Sequence, residues 1–441
     1  MERRLNEIYD ADKLFYYYFS ENESCNLVLR LVLKERIDQS ILKKALNRTL
    51  KRYPNFRQKP VLDSEGYLYS VDNDLEAEVY PYDPDPVNFG TRDTNGYLFR
   101  VMYEGSTLWI SVFHGVCDGR GYMMFARTLL YYYLTLAGHP VRNEEGRILT
   151  EDVPADHTEM ADPFDIPLER EAAANPFKPT GEENIFLIPG DKKGIDECRH
   201  YSLYRYVLDA DKLVSFAREA GCTVDTYFHL LMAKMIRENY DTGGKMIAGM
   251  GAVDLRPFYD SRYLQNMREL FWIYYPDNFF ELPDRAGASL IQRLFKNQQL
   301  TRDNFDGVLK ESREGLKETL KYPFSYKPAL KIMRDNVWKA PELMVSYFTT
   351  NLNRLDLGPD MDAHVARADV YAPAIFQCPG LLLLTQGNET VVNLTQRGYD
   401  RYFALKLRET FEKKGLLISA EMGKTFENDK LKVDLLHRDE A

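Results

Sequence analysis

The run SVFHGVCDGRGYMMF, residues 111–125, closes an apolar stretch on a histidine, His114, and then places Cys117, Asp118 and Gly119 in quick succession. An imidazole with its ordinary pKa of about 6.5 is largely neutral at pH 7 and can take a proton there. His114 is therefore a candidate general base for a hydroxyl or amine attacking a thioester. Asp118 follows in a loop rather than a helix, so it need not face the imidazole as a triad carboxylate. It is placed to cap the next helix or to hold the loop through an arginine. Spacing alone carries little weight: with seven histidines in the chain, one Asp at the fourth following position is about what ordinary composition supplies. A hydrogen-bonded structural histidine stays open at this level. Cys117 reads first as a small buried residue and only second as a nucleophile. No GxSxG segment offers a serine nucleophile, which favours direct transfer over an acyl-enzyme. His114 and Asp118 have no neighbouring third ligand and no HExxH occurs, so no metal is expected in the reaction.

The elements around this loop are legible. Residues 107–113, TLWISVF, are apolar on both alternate faces, as in a strand buried on both sides. The EGS turn at 104–106 joins them to a preceding strand as a hairpin. After Gly119 the apolar residues recur with helical spacing until GHP at 138–140, where Gly138 and Pro140 supply a helix end. The loop thus joins a strand to a helix, a usual place for reactive side chains in α/β proteins. Upstream, LVLRLVL at 27–33 reads as a strand. A helix follows, capped by Asp38 or Ser40 and ended by Pro54. Residues 140–198 are rich in proline and acid with little periodicity, the pattern of an interdomain linker. Beyond them strands and helices resume and continue to an amphipathic helix at 400–415. The basic stretch 285–302 reads as an amphipathic helix whose basic face is solvated or meets an anionic partner.

The whole chain sets bounds. Its 441 residues, 44% apolar and 28% charged, suit two or three globular domains. A net charge of −10 argues against a nucleic-acid binder. Five scattered cysteines without a CxxC pair argue against a disulfide framework or a thiolate zinc site. The first residues lack the apolar core of a signal peptide, and no apolar run approaches a membrane span. The expectation is a soluble cytoplasmic protein with no membrane span.

HGVCDG resembles the HxxxDG signature of the CoA-dependent acyltransferase superfamily. That superfamily includes chloramphenicol acetyltransferase, alcohol O-acetyltransferases and the condensation domains of peptide synthetases. IDQSILKKALNRTLKRYPNFR at 37–57 is similar to the family's early helix with its R(H/Y)PxxR end. GYLFRVMY followed by WISVFHGVCDG is similar to the strand pair leading into the active-site loop. VDLRPF at 253–258 resembles the DLRP segment of the alcohol-acetyltransferase branch. The resemblance implies an α/β (α+β) fold of two chloramphenicol-acetyltransferase-like lobes, each a mixed sheet with flanking helices, and an active-site tunnel between them. The lobes would be residues 1–175, with the linker from about 140, and 199–441. It implies His114 as general base, Asp118 as a structural residue paired with Arg57 or Arg256, and Gly119 keeping the loop tight. The acyl donor would be acyl-CoA or an acyl-carrier protein, the acceptor a small alcohol or amine. Three departures matter. Phe113 stands where condensation domains carry a second histidine, which shifts the reading towards O-acyl transfer. SYFT at 346–349 replaces an SNxG-like segment and leaves Ser346 as an oxyanion-donor candidate. The plant branch's DFGWG is missing. Two alternatives stay open: a non-catalytic binding relative of the same fold, and a carrier-dependent condensation enzyme.

Overall fold

The computed structural model describes residues 5–8, 10–18, 25–143, 146–160, 177–189, 200–320, 325–337, 343–373, 378–397, 401–427 and 429–435. Helix α1 (Asp10–Tyr18) precedes the strand Asn26–Leu33, and helix α2 (Gln39–Arg52) follows it. Asp38 starts α2 by accepting N–H bonds from Ser40 (2.8 Å) and Ile41 (3.0 Å), and Pro54 lies just past its end. Leu42, Ala45, Leu46 and Leu50 form its buried stripe, at the spacing that puts side chains on one helix face. The strands Phe99–Glu104 and Thr107–Phe113 pair antiparallel as the expected hairpin. Helix α3 (Gly119–Leu136) then covers the sheet and ends before Gly138, whose φ of +91° is the left-handed conformation that glycine adopts freely.

A five-stranded sheet runs in the order Val365–Tyr371, Asn26–Leu33, Thr107–Phe113, Phe99–Glu104, Val79–Pro81. A seven-stranded sheet runs Arg268–Tyr275, Ile247–Asp254, Tyr347–Arg354, Gly380–Gln386, Glu389–Arg397, His200–Asp209, Leu417–Glu427. Tyr347–Arg354 is parallel to both its neighbours, and the other pairings in this sheet are antiparallel. Each sheet has its own apolar core. The first centres on Leu29, Ile110, Val112 and Leu129, the second on Tyr206, Met232, Ile236 and Leu383. Helices α4 (Ala210–Glu219) and α5 (Val224–Asn239) contribute to the second core.

The two sheets do not divide the chain at one point. The strand Val365–Tyr371 lies within the expected second lobe of 199–441, yet it pairs with Asn26–Leu33 at the edge of the first sheet. Tyr326, Ala329 and Leu330 of the helix Tyr326–Val337 join the first core as well. The exchange has an electrostatic anchor. Asp369, fully buried, is met by Arg30 Nε of the first sheet at 3.0 Å and by Arg205 Nε of the second at 3.0 Å. Asn393 Nδ2 also donates to it, at 3.1 Å. A buried carboxylate needs such partners, and it finds them where the sheets meet.

The stretch read as a linker is partly docked. Of residues 140–198, numbers 144–145, 161–176 and 190–198 lie outside the described residues. Within the rest, Glu159 pairs with buried Arg52 at 2.8 Å and accepts the Leu264 N–H at its carbonyl (2.9 Å). The basic stretch 285–302 is not one even helix: Asp284–Leu290 passes through a π-helical turn, Ile291–Lys296, into Asn297–Gln299. Lys296 is turned inward onto Asp225 (2.5 Å) rather than out to a phosphate. Among the described residues no helix is long and apolar enough to cross a membrane.

Candidate active site

His114 lies just past the C-terminal end of Thr107–Phe113, and its N–H donates to the Cys25 carbonyl (2.6 Å). Phe15 of α1 stacks on the imidazole at a centroid distance of 4.3 Å and an interplanar angle of 9°. The Nδ1 side faces Asn266 Oδ1 at 3.0 Å. The orientation of that amide is settled by its other end. Asn266 Nδ2 donates to Asp12 Oδ1 (2.8 Å) and to the His114 carbonyl (2.8 Å), so Oδ1 must be the atom turned to the ring. An amide oxygen only accepts; His114 therefore carries its proton on Nδ1, and Nε2 keeps a lone pair. Nε2 makes no hydrogen bond among the described residues, and the side chain is partly exposed. Burial, with the nearby Arg268 guanidinium, brings the His114 pKa down to about 4. The ring is therefore neutral at physiological pH.

Asp118 does not touch the imidazole. It caps α3 by accepting the N–H groups of Arg120 (3.1 Å) and Gly121 (3.0 Å). It also takes a two-pronged bond from Arg256, Nη1 to Oδ2 at 2.8 Å and Nη2 to Oδ1 at 3.0 Å, and accepts the Met267 N–H at 2.9 Å. Burial works to raise its pKa, but Arg256 and these donors outweigh that and hold the carboxylate ionised, below the usual range. Arg256 binds the Tyr263 carbonyl (2.6 Å), Asp254 (2.9 Å) and the Gln265 carbonyl (2.9 Å) with its remaining donors. It thus rivets the α3 start to the 254–268 connection of the second sheet.

The remaining expectations divide. Arg57 is not the partner of Asp118. It closes a short turn, Pro54–Arg57, and its backbone carbonyl accepts the Asn73 N–H (2.8 Å). The RYPNFR segment supports the loop through another residue, Asn55, whose Nδ2 donates to the Val116 carbonyl (3.1 Å). Gly119 opens α3, and a Cβ there would meet the Leu352 side chain at 2.6 Å. The stricter requirement falls two residues later. A Cβ on Gly121 would sit 1.9 Å from the Leu264 carbonyl oxygen, which is backbone and cannot swing aside. Ser346 is fully buried; its hydroxyl donates to the Phe186 carbonyl (2.5 Å) and accepts the Ala248 N–H (3.1 Å). Its one proton is committed, which leaves none for an oxyanion. Cys117 is sealed from solvent, and burial pushes its thiol pKa up, against a nucleophilic role.

Among solved structures, the chain aligns with polyketide synthase associated protein 5 from Mycobacterium tuberculosis at 14% identity, covering 93% of this chain and 96% of that one, with a TM-score of 0.57. It aligns with F. sporotrichioides TRI101, solved with coenzyme A and T-2, at 13% identity, covering 96% and 99%, with a TM-score of 0.57. The chain shares the fold of these solved structures. TRI3, a trichothecene 15-O-acetyltransferase from Fusarium sporotrichioides, aligns at 10% identity over 94% of each chain, with a TM-score of 0.52. No protein-family model matches the sequence, and no curated protein sequence matches it either. Within this fold the residues around His114 come from both halves of the chain: Asp12 and Phe15 from α1, and Arg256, Asn266 and Arg268 from around the hairpin Ile247–Asp254 and Arg268–Tyr275. Asn266, Asp12 and Arg268 were not singled out in the sequence. The nearest signal was the polar run QNMRE at 265–269, six residues after VDLRPF.

Proposed function

We propose that the protein is an acyltransferase that moves an acyl group from acyl-CoA to a hydroxyl acceptor by direct attack. The acceptor O–H gives its proton to His114 Nε2 as its oxygen bonds to the thioester carbonyl carbon. The tetrahedral intermediate then expels the CoA thiolate, which takes that proton back from Nε2. No group on the protein is acylated, in keeping with a buried, high-pKa Cys117. The observation that carries this reading is the Asn266 amide, which fixes the imidazole in the Nδ1–H form and leaves Nε2 available. Asp118 and Arg256 hold the loop, with Gly119 and Gly121 allowing its close approach. The similar structures of TRI101, solved with coenzyme A and T-2, and of TRI3, a trichothecene 15-O-acetyltransferase, support a CoA donor and a hydroxyl acceptor.

A mass-spectrometric screen pairing several acyl-CoAs with pooled alcohols and amines tests it. The expected outcome is acyl-ester product that depends on His114. Products only with amines would replace the acceptor class, and no product from any pairing, with a carrier-bound donor active instead, would replace the donor.

A further inference from the structure

A second cluster of chemistry-bearing side chains lies far from His114. Glu35 follows the strand Asn26–Leu33, His139 follows the C-terminus of α3, and His364 precedes the strand Val365–Tyr371. One ligand atom from each, two imidazole nitrogens and a carboxylate oxygen, all lie within 4.8 Å of one another. His139 Nε2 stands 3.5 Å from Glu35 Oε2, and the two imidazole centroids are 4.1 Å apart with the rings tilted by 48°. Neither ring makes a hydrogen bond to another side chain among the described residues beyond that approach to Glu35. The backbone beneath them is already tied together. The Lys34 N–H donates to the His364 carbonyl (2.9 Å), the Asp38 N–H to the Tyr133 hydroxyl of α3 (3.0 Å), and the His139 N–H to the Leu134 carbonyl (3.0 Å).

We infer that Glu35, His139 and His364 form a binding site for one zinc ion. Two imidazoles and a carboxylate are a donor set that suits zinc, with water completing a four-coordinate shell. Zinc bonds of about 2.0–2.2 Å to nitrogen and oxygen place tetrahedral ligands roughly 3.4 Å apart. Closing to that spacing takes only side-chain rotation, which is open to an exposed Glu35 and partly exposed His139 and His364. The site stands apart from the reaction: α3 has 18 residues, and at about 1.5 Å each they separate its two ends by about 27 Å. The ion joins three segments: the exit of the first strand, the end of α3 and the entry of Val365–Tyr371. The last of these carries Asp369, which links the sheets. The site is therefore a staple on the strand exchanged between the lobes.

The test uses the full chain stripped with a chelator. Zinc is added in a calorimetric titration, and cobalt(II) is added separately to read coordination from its visible spectrum. One zinc per chain is expected, at micromolar affinity or tighter, with a rise in melting temperature. The double variant His139→Ala/His364→Ala should bind at least about 100-fold more weakly, and Glu35→Gln about 10-fold. His139→Gln, at a partly exposed position past the helix end, serves as a second variant if the double one does not fold. No saturable zinc binding by the stripped protein, or unchanged affinity in the histidine variants, overturns the inference.

Discussion

His114 ends a strand of the first sheet, whereas His229 sits mid-helix in α5 against the second. Both rings are drawn down to a pKa of about 4 with burial as the leading cause, and both engage a hydrogen-bond partner through Nδ1. His229 is completely enclosed. Its Nδ1 lies 3.0 Å from the Tyr347 hydroxyl, which is 2.9 Å from the Tyr275 hydroxyl. Its Nε2 is buried without a hydrogen-bond partner. His114 instead is a partly exposed residue, ringed by side chains from both halves of the chain. A perturbed pKa thus does not single out the base, since buried structural residues show the same shift. What separates the two is the residual exposure of His114, together with an amide that dictates which nitrogen holds the proton.

The largest expected effect breaks this pair apart. His114→Ala should lower acyl transfer by at least about 10²-fold, the scale of a lost general base, with the melting temperature little changed. His229→Leu should do the reverse, shifting stability while kcat/KM stays within a few-fold of the parent. Equal losses of turnover in the two variants would remove the distinction. Next in size is the Asp118–Arg256 rivet. Asp118→Ala leaves a buried guanidinium short of its carboxylate and should cost roughly 3–5 kcal/mol of stability, read from denaturant unfolding. A stable but inactive Asp118→Ala would instead assign that carboxylate a direct chemical role.

Asn266→Leu removes the amide that sets the tautomer and should lower kcat by about 10-fold or more, equal to about 1.4 kcal/mol of barrier, with KM little changed. A pure KM effect would make Asn266 a substrate contact. The smallest effect is expected at Arg268. Its charge opposes protonation of His114, second to burial, so Arg268→Gln should move the His114 pKa upward from about 4 towards the ordinary value. The protonated ring is inactive, so the acid limb of the pH–rate profile should shift to higher pH, and activity near pH 5 should fall relative to the parent. An unmoved limb would show that burial alone sets the pKa.

The sequence disclosed the parts of the site that are local. The Asp118 cap, the hairpin into His114 and the start of α3 depend on residues within a few positions of one another, and the structure has each in place. Arg256 entered through the resemblance of VDLRPF to a family segment, and its bond to Asp118 bridges 138 positions. Asn266 pairs with His114 across 152 positions, so its role exists only once the hairpin of the second sheet has docked on the loop. Ser346 illustrates the converse. Its hydroxyl looked available, but the carbonyl that accepts its proton belongs to Phe186, 160 positions away. The exchanged strand Val365–Tyr371 was hidden for the same reason: local sequence marks it as a strand, while the sheet it joins depends on pairing with a strand near the start of the chain.

The most direct test of the account is the protonation of His114 itself, read by nitrogen NMR of the histidine-labelled protein, with His114→Ala assigning the resonance. A single neutral tautomer is expected at pH 7, protonated on Nδ1 and bare on Nε2, titrating with a midpoint near 4. A ring protonated on Nε2 at pH 7, or one titrating at 6.5 or above, would contradict it.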